Sequence, residues 1–381
     1  MTERLKFKVE NDKLSTALNN LKNCISSKID NQIMKGALFE LNGNQLTVAG
    51  TDTVLYGKEK VEVETEIEGD VVVEYELLRK LLSDFPNKEI TLEIKPEEDD
   101  RLELTCDNID YKIPTYDADM FPQEPALDNT TTFNIEQNKL KEIVKRFIRS
   151  ASNDDAKLAM KGIYIDINEE DETVNFVSTD GYRLQRKKYE PENLNIEQNI
   201  TSCIVFPETM NFLKRVLNNT EEKITLEIGE NKLKTETDEV IVKSNLINED
   251  RYPQYQAVIP NDNELEGYVE LDTNKFKSAL SRVKTISKFN NISQVTWEIN
   301  EEIFKLRPTS GQYSSGEEEI SILANQGLDE EQRVIHFNIG YIMDYLKYNQ
   351  EDKTKIKVAK ENGQVVFEEG SLIYILLPLR G

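Results

Sequence analysis

The sequence predicts an α+β protein made of three copies of one unit, each packing two helices on β-sheets. Three observations predict it. A polar-capped helix recurs near residues 10, 136 and 272, alternating strand-like runs follow each copy, and every third then shows a strand and a second helix. Periodicity at this scale is read first because it fixes the architecture within which single motifs acquire meaning.

The leading helices are ENDKLSTALNNL (10–21), EQNKLKEIVKRF (136–147) and DTNKFKSALSRV (272–283), which align without gaps. Each has a cap, then Lys13, Lys139 or Lys275, then an apolar stripe. Leu14, Leu18 and Leu21, then Leu140, Val144 and Phe147, then Phe276, Leu280 and Val283 share one helical face and leave the lysines off it. ALFELNGNQLTVAGTD, KGIYIDINEEDETVNFVSTD and VTWEINEEIFKLRPTS alternate apolar and polar residues, as half-buried strands do. VVVEYELLRKLLSDF (71–85), IVFPETMNFLKRVLNN (204–219) and IHFNIGYIMDYLKYNQ (335–350) supply the second helices. Phe121-Pro122-Gln123 and Tyr252-Pro253-Gln254 close the first two units before polar linkers. The units are expected at 1–127, 128–260 and 261–381.

Composition narrows the function. The chain carries 71 acidic and 47 basic residues, a net charge of −24. Six predicted helical segments (12–28, 74–84, 136–152, 207–219, 272–288 and 337–350) nevertheless hold 18 basic and 9 acidic residues, so they carry +9 and the rest −33. A basic helix layer on an acidic shell suits a polyanion, with repulsion elsewhere. Packed helices lie about 8–10 Å apart and are about 10–12 Å thick. On that spacing a ring of six helices leaves roughly 8 Å of bore and one of twelve roughly 27 Å, enough for a nucleic-acid duplex. Two chains could surround a duplex where one could not.

Catalytic and metal chemistry find little support. His336 is the only histidine and reads as structural, so the chain has no Ser-His-Asp relay or HExxH zinc site. Cys24, Cys106 and Cys203 form no CxxC pair, and no two glycines make a GxG. No cofactor and no metal are expected. The N-terminal stretch MTERLKFKVENDKL has no apolar core, and the longest apolar run, LIYILLPL (372–379), is short for a membrane span. A soluble, reduced, cytoplasmic protein is the expectation. The acidic runs PEEDDRLE (96–103) and NEEDET (168–173) read as exposed hairpin turns. An acidic carbohydrate-acting enzyme using paired carboxylates, or an acidic scaffold, are the rival readings.

The three helix-led repeats, together with VSTDGYRLQ (177–185), RYPQYQAVIP (251–260) and YILLPLR (374–380), resemble the bacterial DNA polymerase III beta subunit family, the sliding clamps. The resemblance covers essentially the whole chain. It implies three clamp domains, a head-to-tail ring-forming dimer, and no enzymatic activity. It further implies passage over double-stranded DNA without sequence preference and tethering of the polymerase III alpha subunit. A clamp-loader complex and other proteins with clamp-binding peptide motifs are the remaining implied partners. A two-repeat, trimeric clamp is the alternative within the same function, and three internal copies speak against it.

Carried over by motif, the resemblance implies a peptide-binding pocket. One wall would hold Met160, Thr179, Gly181, Tyr182, Arg183 and Leu184. Pro253 and Val258 come from the linker, Asn338 and Tyr341 from the last helix, and Leu377, Pro378, Leu379 and Arg380 close the far side. Tyr182 stands where the family often has His, Ala257 where it often has Arg, and Gly381 where an apolar residue is usual. For DNA, the pattern places Lys28 and Lys157, to which the basic helices add Lys139, Lys145, Arg149, Lys214, Lys275 and Arg282. Tyr111, Ile113 and Ile286 are the expected dimer-interface residues. Arg186, Lys187 and Lys188 read as a solvated strand end.

Overall fold

The computed structural model describes residues 5–25, 30–95, 101–127, 130–196, 200–247, 252–308, 315–328, 333–360 and 363–379. Seven α-helices occur among them: α1 (Asn11–Asn20), α2 (Tyr75–Asp84), α3 (Gln137–Phe147), α4 (Leu158–Lys161), α5 (Pro207–Val216), α6 (Thr273–Phe289) and α7 (Ile339–Leu346). The chain divides into two compact units, 1–144 with 191–246, and 145–190 with 247–381.

The helices start where chemistry lets them. Glu74, Asp272 and Asn338 cap α2, α6 and α7 by accepting the backbone N–H of Leu77 (2.6 Å), Lys275 (2.8 Å) and Gly340 (2.9 Å). Pro207 opens α5, where its missing N–H costs nothing. The predicted stripes are buried: Leu14 and Leu18 in α1, Leu140, Val144 and Phe147 in α3, Phe276, Leu280 and Val283 in α6. Several helices end earlier than the periodicity suggests. α3 gives way to turns after Phe147, where Arg149 and Ser150 donate to Arg146 and Phe147 carbonyls. The Arg146 carbonyl also accepts from the buried Gln185 amide at 3.3 Å. Tertiary donors thus take over the acceptors that a longer helix would use.

In the first unit, fourteen strands form one sheet. The middle of its order reads Lys223–Ile228, Lys232–Glu236, Val240–Asn245, Leu55–Glu62, Gln45–Thr51, Gly36–Asn42, Gly69–Glu74, Ile109–Tyr116. The strand Leu55–Glu62 of the first repeat is therefore bonded to Val240–Asn245 of the second. In the second unit one sheet runs Ile163–Asn168, Thr173–Thr179, Arg183–Tyr189, Leu372–Leu376, Val365–Glu369, Lys353–Ala359, Leu265–Asp272, Ala324–Gln326. A separate four-stranded sheet runs Glu318–Ser321, Ile303–Pro308, Gln294–Ile299, Arg333–Asn338.

The core of the third repeat is aromatic. Trp297 is fully buried between Phe276, Phe304 and Phe337, with ring centroids 4.5–5.9 Å away. Residues 169–172 form an exposed turn capped by Asn168, as the acidic run NEEDET suggested. LIYIL (372–376) is a buried strand paired to the basic strand 183–187. In PEEDDRLE, residues 96–100 lie outside the described residues and 101–106 form a strand.

Candidate functional site

The basic turn at 179–184 is built by its own short side chains. Thr179 Oγ1 donates to the Arg183 carbonyl (2.7 Å) and accepts the Gly181 N–H (3.1 Å). Asp180 Oδ1 accepts the N–H groups of Tyr182 and Arg183 (2.9 and 3.1 Å). Gly181 has φ +91°, a conformation that favours glycine, and a side chain there would meet Lys157 and Met160. The turn leaves Tyr182 55% exposed, with Lys157 Nζ 5.8 Å from its ring centroid.

Arg183 points inward. Its guanidinium is 7% exposed, with Nε on Asp180 Oδ2 (3.0 Å) and Nη1 on Asp344 Oδ2 (2.7 Å). It lies over the Tyr341 ring at 4.0 Å and donates to the Arg149 carbonyl. Burial works against its charge, but Tyr374, Asp344 and Asp180 outweigh burial and raise its pKa. Asp344 also accepts from Arg149 Nη1 at 3.1 Å, so one carboxylate of α7 serves two arginines. Sequence reasoning missed Asp344. Its signal was position, since it lies three residues beyond Tyr341 and so near it on the helix surface.

The remaining pocket candidates gather beside this network. Leu377 donates its N–H to the Tyr182 carbonyl (2.9 Å), and Leu379 donates to the His336 carbonyl (2.8 Å). The Val258 carbonyl accepts from Gln364 (3.1 Å), and Pro378 lies against Gly363. Leu184 is buried with Tyr255, Val366 and Ile375 beneath the surface. Asn338 is occupied as the cap of α7, and Pro253 is exposed, its carbonyl accepting the Tyr255 N–H. Arg380 lies outside the described residues. Half-buried Leu377, Pro378 and Leu379 and exposed Val258 and Tyr182 thus offer apolar surface, which suits a short peptide.

The nucleic-acid candidates are sorted differently from the sequence expectation. Lys275 is exposed on α6. Lys139 pairs with Glu136 (2.7 Å), Lys214 donates to Asn211 (3.1 Å), and Lys145 and Lys157 are half-buried. Arg282 forms a two-pronged pair with Glu318 (2.6 and 2.8 Å), and Arg149 is held by Asp344 and Tyr348. Both arginines are tied to acids on neighbouring elements, so their charge is already partly answered. Lys28 lies outside the described residues. Among the described residues, no group of three or more His, Cys, Asp or Glu could hold a metal ion.

The edges of the sheets carry the most information. Between first and second repeats, Leu55 faces Ser244 and Glu59 faces Val240. Between second and third repeats, Arg183 faces Leu376 and Lys187 faces Leu372. Superposing the repeats by strand register puts Leu55 on Arg183 and Ser244 on Leu376, so both joints use one register. The third copy of each half is also present: Glu318–Ser321 matches Glu59–Glu62, and Ile109–Tyr116 matches the Val240 and Leu372 strands. Glu318–Ser321 pairs only with Ile303–Pro308, and Ile109–Tyr116 touches Gly69–Glu74 only through Thr115 and Tyr116. Among the described residues, these two edges have no further strand partner. Tyr111 on that edge is 48% exposed, while the Ile113 side chain is fully buried. Ile113 therefore lies on the edge through its backbone. Ile286 is half-buried beside the other edge, where a β-carbon placed on Gly316 would lie 4.0 Å from its side chain.

Family models describe the same three parts. The DNA polymerase III beta subunit N-terminal, central and C-terminal domains match residues 5–125, 134–254 and 256–372. A beta sliding clamp of Pseudomonas putida is 23% identical over 353 residues, covering 91% of this chain and 92% of the relative. The crystal structure of the C. crescentus beta sliding clamp is similar at TM-score 0.89 and 22% identity, with both chains covered completely. The Helicobacter pylori beta clamp bound to a DNA ligase peptide is similar at TM-score 0.88 and 18% identity, covering 98% of this chain and 100% of that one.

Proposed function

Because the chain belongs to the DNA polymerase III beta subunit family, the sliding clamps, non-catalytic processivity factors of replication, we propose that it acts as a dimeric ring around duplex DNA. The observation that carries this is the joint used twice in one register, with both halves of a third left open. In a head-to-tail dimer each open edge meets its complement on the other copy, and the assembly closes after two chains. The register then sets Tyr111 of one copy opposite Gly316 of the other, above Ile286. An edge with unpaired N–H and C=O groups is otherwise a liability, which closure removes.

Within such a ring the helices of the three domains, with boundaries near 127 and 260, face the DNA. Lysine contacts to phosphate carry no base information, so they hold the duplex without stopping translation along it. The surface around Tyr182, Tyr341, Val258 and Leu377–Leu379 takes the linear motif of a partner such as the polymerase alpha subunit or a clamp loader. Tethering the polymerase raises its effective concentration at the primer end, which is the source of processivity. The working compartment is the cytoplasm.

The deciding experiment loads the protein, with a competent loader and ATP, onto nicked circular and linear DNA. Retention on the circle with loss from the linear form is expected. Equal retention on both would overturn the ring.

A further inference from the structure

The strand that joins one repeat to the next carries opposite charge at its paired and its open copies. At the first joint Lys58 faces Ile241, and at the second Arg186 faces Ile373. Both isoleucines are half-buried, an apolar floor for the stem of a basic side chain. Two residues on, the Lys60 N–H donates to the Glu239 carbonyl (2.8 Å) and the Lys188 N–H to the Ser371 carbonyl (3.1 Å). The base of the first joint is itself answered, with Lys58 Nζ 3.0 Å from Glu40 and 3.8 Å from Glu124.

The register carries this pattern onto the open edge. Leu306 faces Glu318 as Val48 faces Glu59 and Phe176 faces Lys187. Glu317 therefore stands where Lys58 and Arg186 do, and Glu319 where Lys60 and Lys188 do. Both acids are exposed, and Lys305 serves them together at 3.0 and 3.2 Å. On the complementary edge Asp110 takes the place of Ile241 and Ile373, and Asn108 that of Glu239 and Ser371. Asp110 is exposed, opposite Thr105 of its own sheet. Lys112, two residues along that strand, faces Glu103, which also pairs with Lys95.

We infer that the joint between two copies is held back by a like-charged pair, Glu317 of one and Asp110 of the other, so that salt tightens the ring. The inference rests on the two-chain ring and adds what controls its closure. Directly opposed residues of an antiparallel ladder have β-carbons about 4.5–5.5 Å apart, close enough for two carboxylates to repel. Both are exposed, so their repulsion is screened as the Debye length shrinks from about 10 Å at 0.1 M salt to about 3 Å at 1 M. Neither intrachain joint sets two acids opposite each other at this position, which leaves the intermolecular joint as the one that ionic conditions govern.

Sedimentation velocity over a dilution series measures the dimer dissociation constant of the full-length protein at about 0.1 M and about 1 M salt. Tightening with salt is expected. Glu317→Lys, which supplies the charge found at the other joints, should tighten the dimer about tenfold or more at the lower salt, because the joint occurs twice per ring. Its salt dependence should shrink as well. Glu169→Lys makes the same change of charge on an exposed turn and should do little. Asp110→Lys should match Glu317→Lys, whereas the double variant again opposes like charges and should lose most of the gain. Additive gains, equal gains from Glu317→Lys and Glu169→Lys, or a dimer that loosens with salt would overturn the proposal and leave the ring standing. A chain that stays monomeric in every variant would overturn the ring itself.

Discussion

Glu59 is a carboxyl group placed where water cannot help it. It lies on Leu55–Glu62, the strand joining the first two repeats, and is 7% exposed. Oε1 accepts from the Asn20 amide at 3.0 Å, whereas Oε2 has no partner. Burial pushes its pKa up from 4.5 to about 7; Asn20 opposes this and Glu239 adds to it. The folded state therefore holds a proton that the unfolded chain releases between pH 4.5 and 7. Stability associated with Glu59 is fully present below pH 4.5 and is lost as pH rises through about 7. At 1.36 kcal/mol per pKa unit, the loss above pH 7 is about 3 kcal/mol. Glu59→Gln keeps the shape of the protonated acid and cannot ionise. Urea unfolding of both proteins from pH 5 to 8.5 should show little difference at the acid end and the variant more stable by about 3 kcal/mol at the alkaline end. A difference that stays flat with pH would refute the reasoning, because it would mean Glu59 has the same pKa folded and unfolded.

Asp344→Ala leaves Arg183 buried with only Asp180 as its acid partner, and should cost about 2–3 kcal/mol in urea unfolding, at or below the low end for a broken buried pair. The same variant should weaken binding of a clamp-binding peptide by fluorescence anisotropy, since Tyr341 loses the guanidinium stacked on it. Tyr111→Glu should shift the sedimentation coefficient from dimer towards monomer, because it puts a charge at the open edge beside Ile286 of the other copy. Lys275→Gln should lower the slope of log affinity for DNA against log salt by about 0.9, whereas Arg282→Gln should change it little because Glu318 already engages that guanidinium.

How much was legible beforehand depends on how local each feature is. The apolar stripe of α3, the cap of α6 and the alternation in Ile163–Asn168 are set by neighbours within a few residues, and periodicity alone exposes them. The threefold repeat was legible for the same reason, as was the turn Thr179–Leu184, whose bonds are made by its own side chains. The fate of the basic residues was not legible. Arg146, Arg149, Arg183 and Arg282 all read as part of a basic surface or wall. Their guanidiniums are answered by Glu369, Asp344, Asp180 and Glu318, three of these acids lying at least 36 residues away in the chain.

Charge counts treat every arginine alike, while burial decides which must find an acid nearby. Strand partners follow the same division. The sequence by itself determined that ALFELNGNQLTVAGTD and KGIYIDINEEDETVNFVSTD would hold strands, because alternation is a property of each run. Only the tertiary structure decided that Leu55–Glu62 bonds to Val240–Asn245, and that among the described residues Ile109–Tyr116 and Glu318–Ser321 remain open edges. A strand's edge groups are the same in every sequence, so the choice of partner is made by the packing that brings two edges within hydrogen-bonding distance.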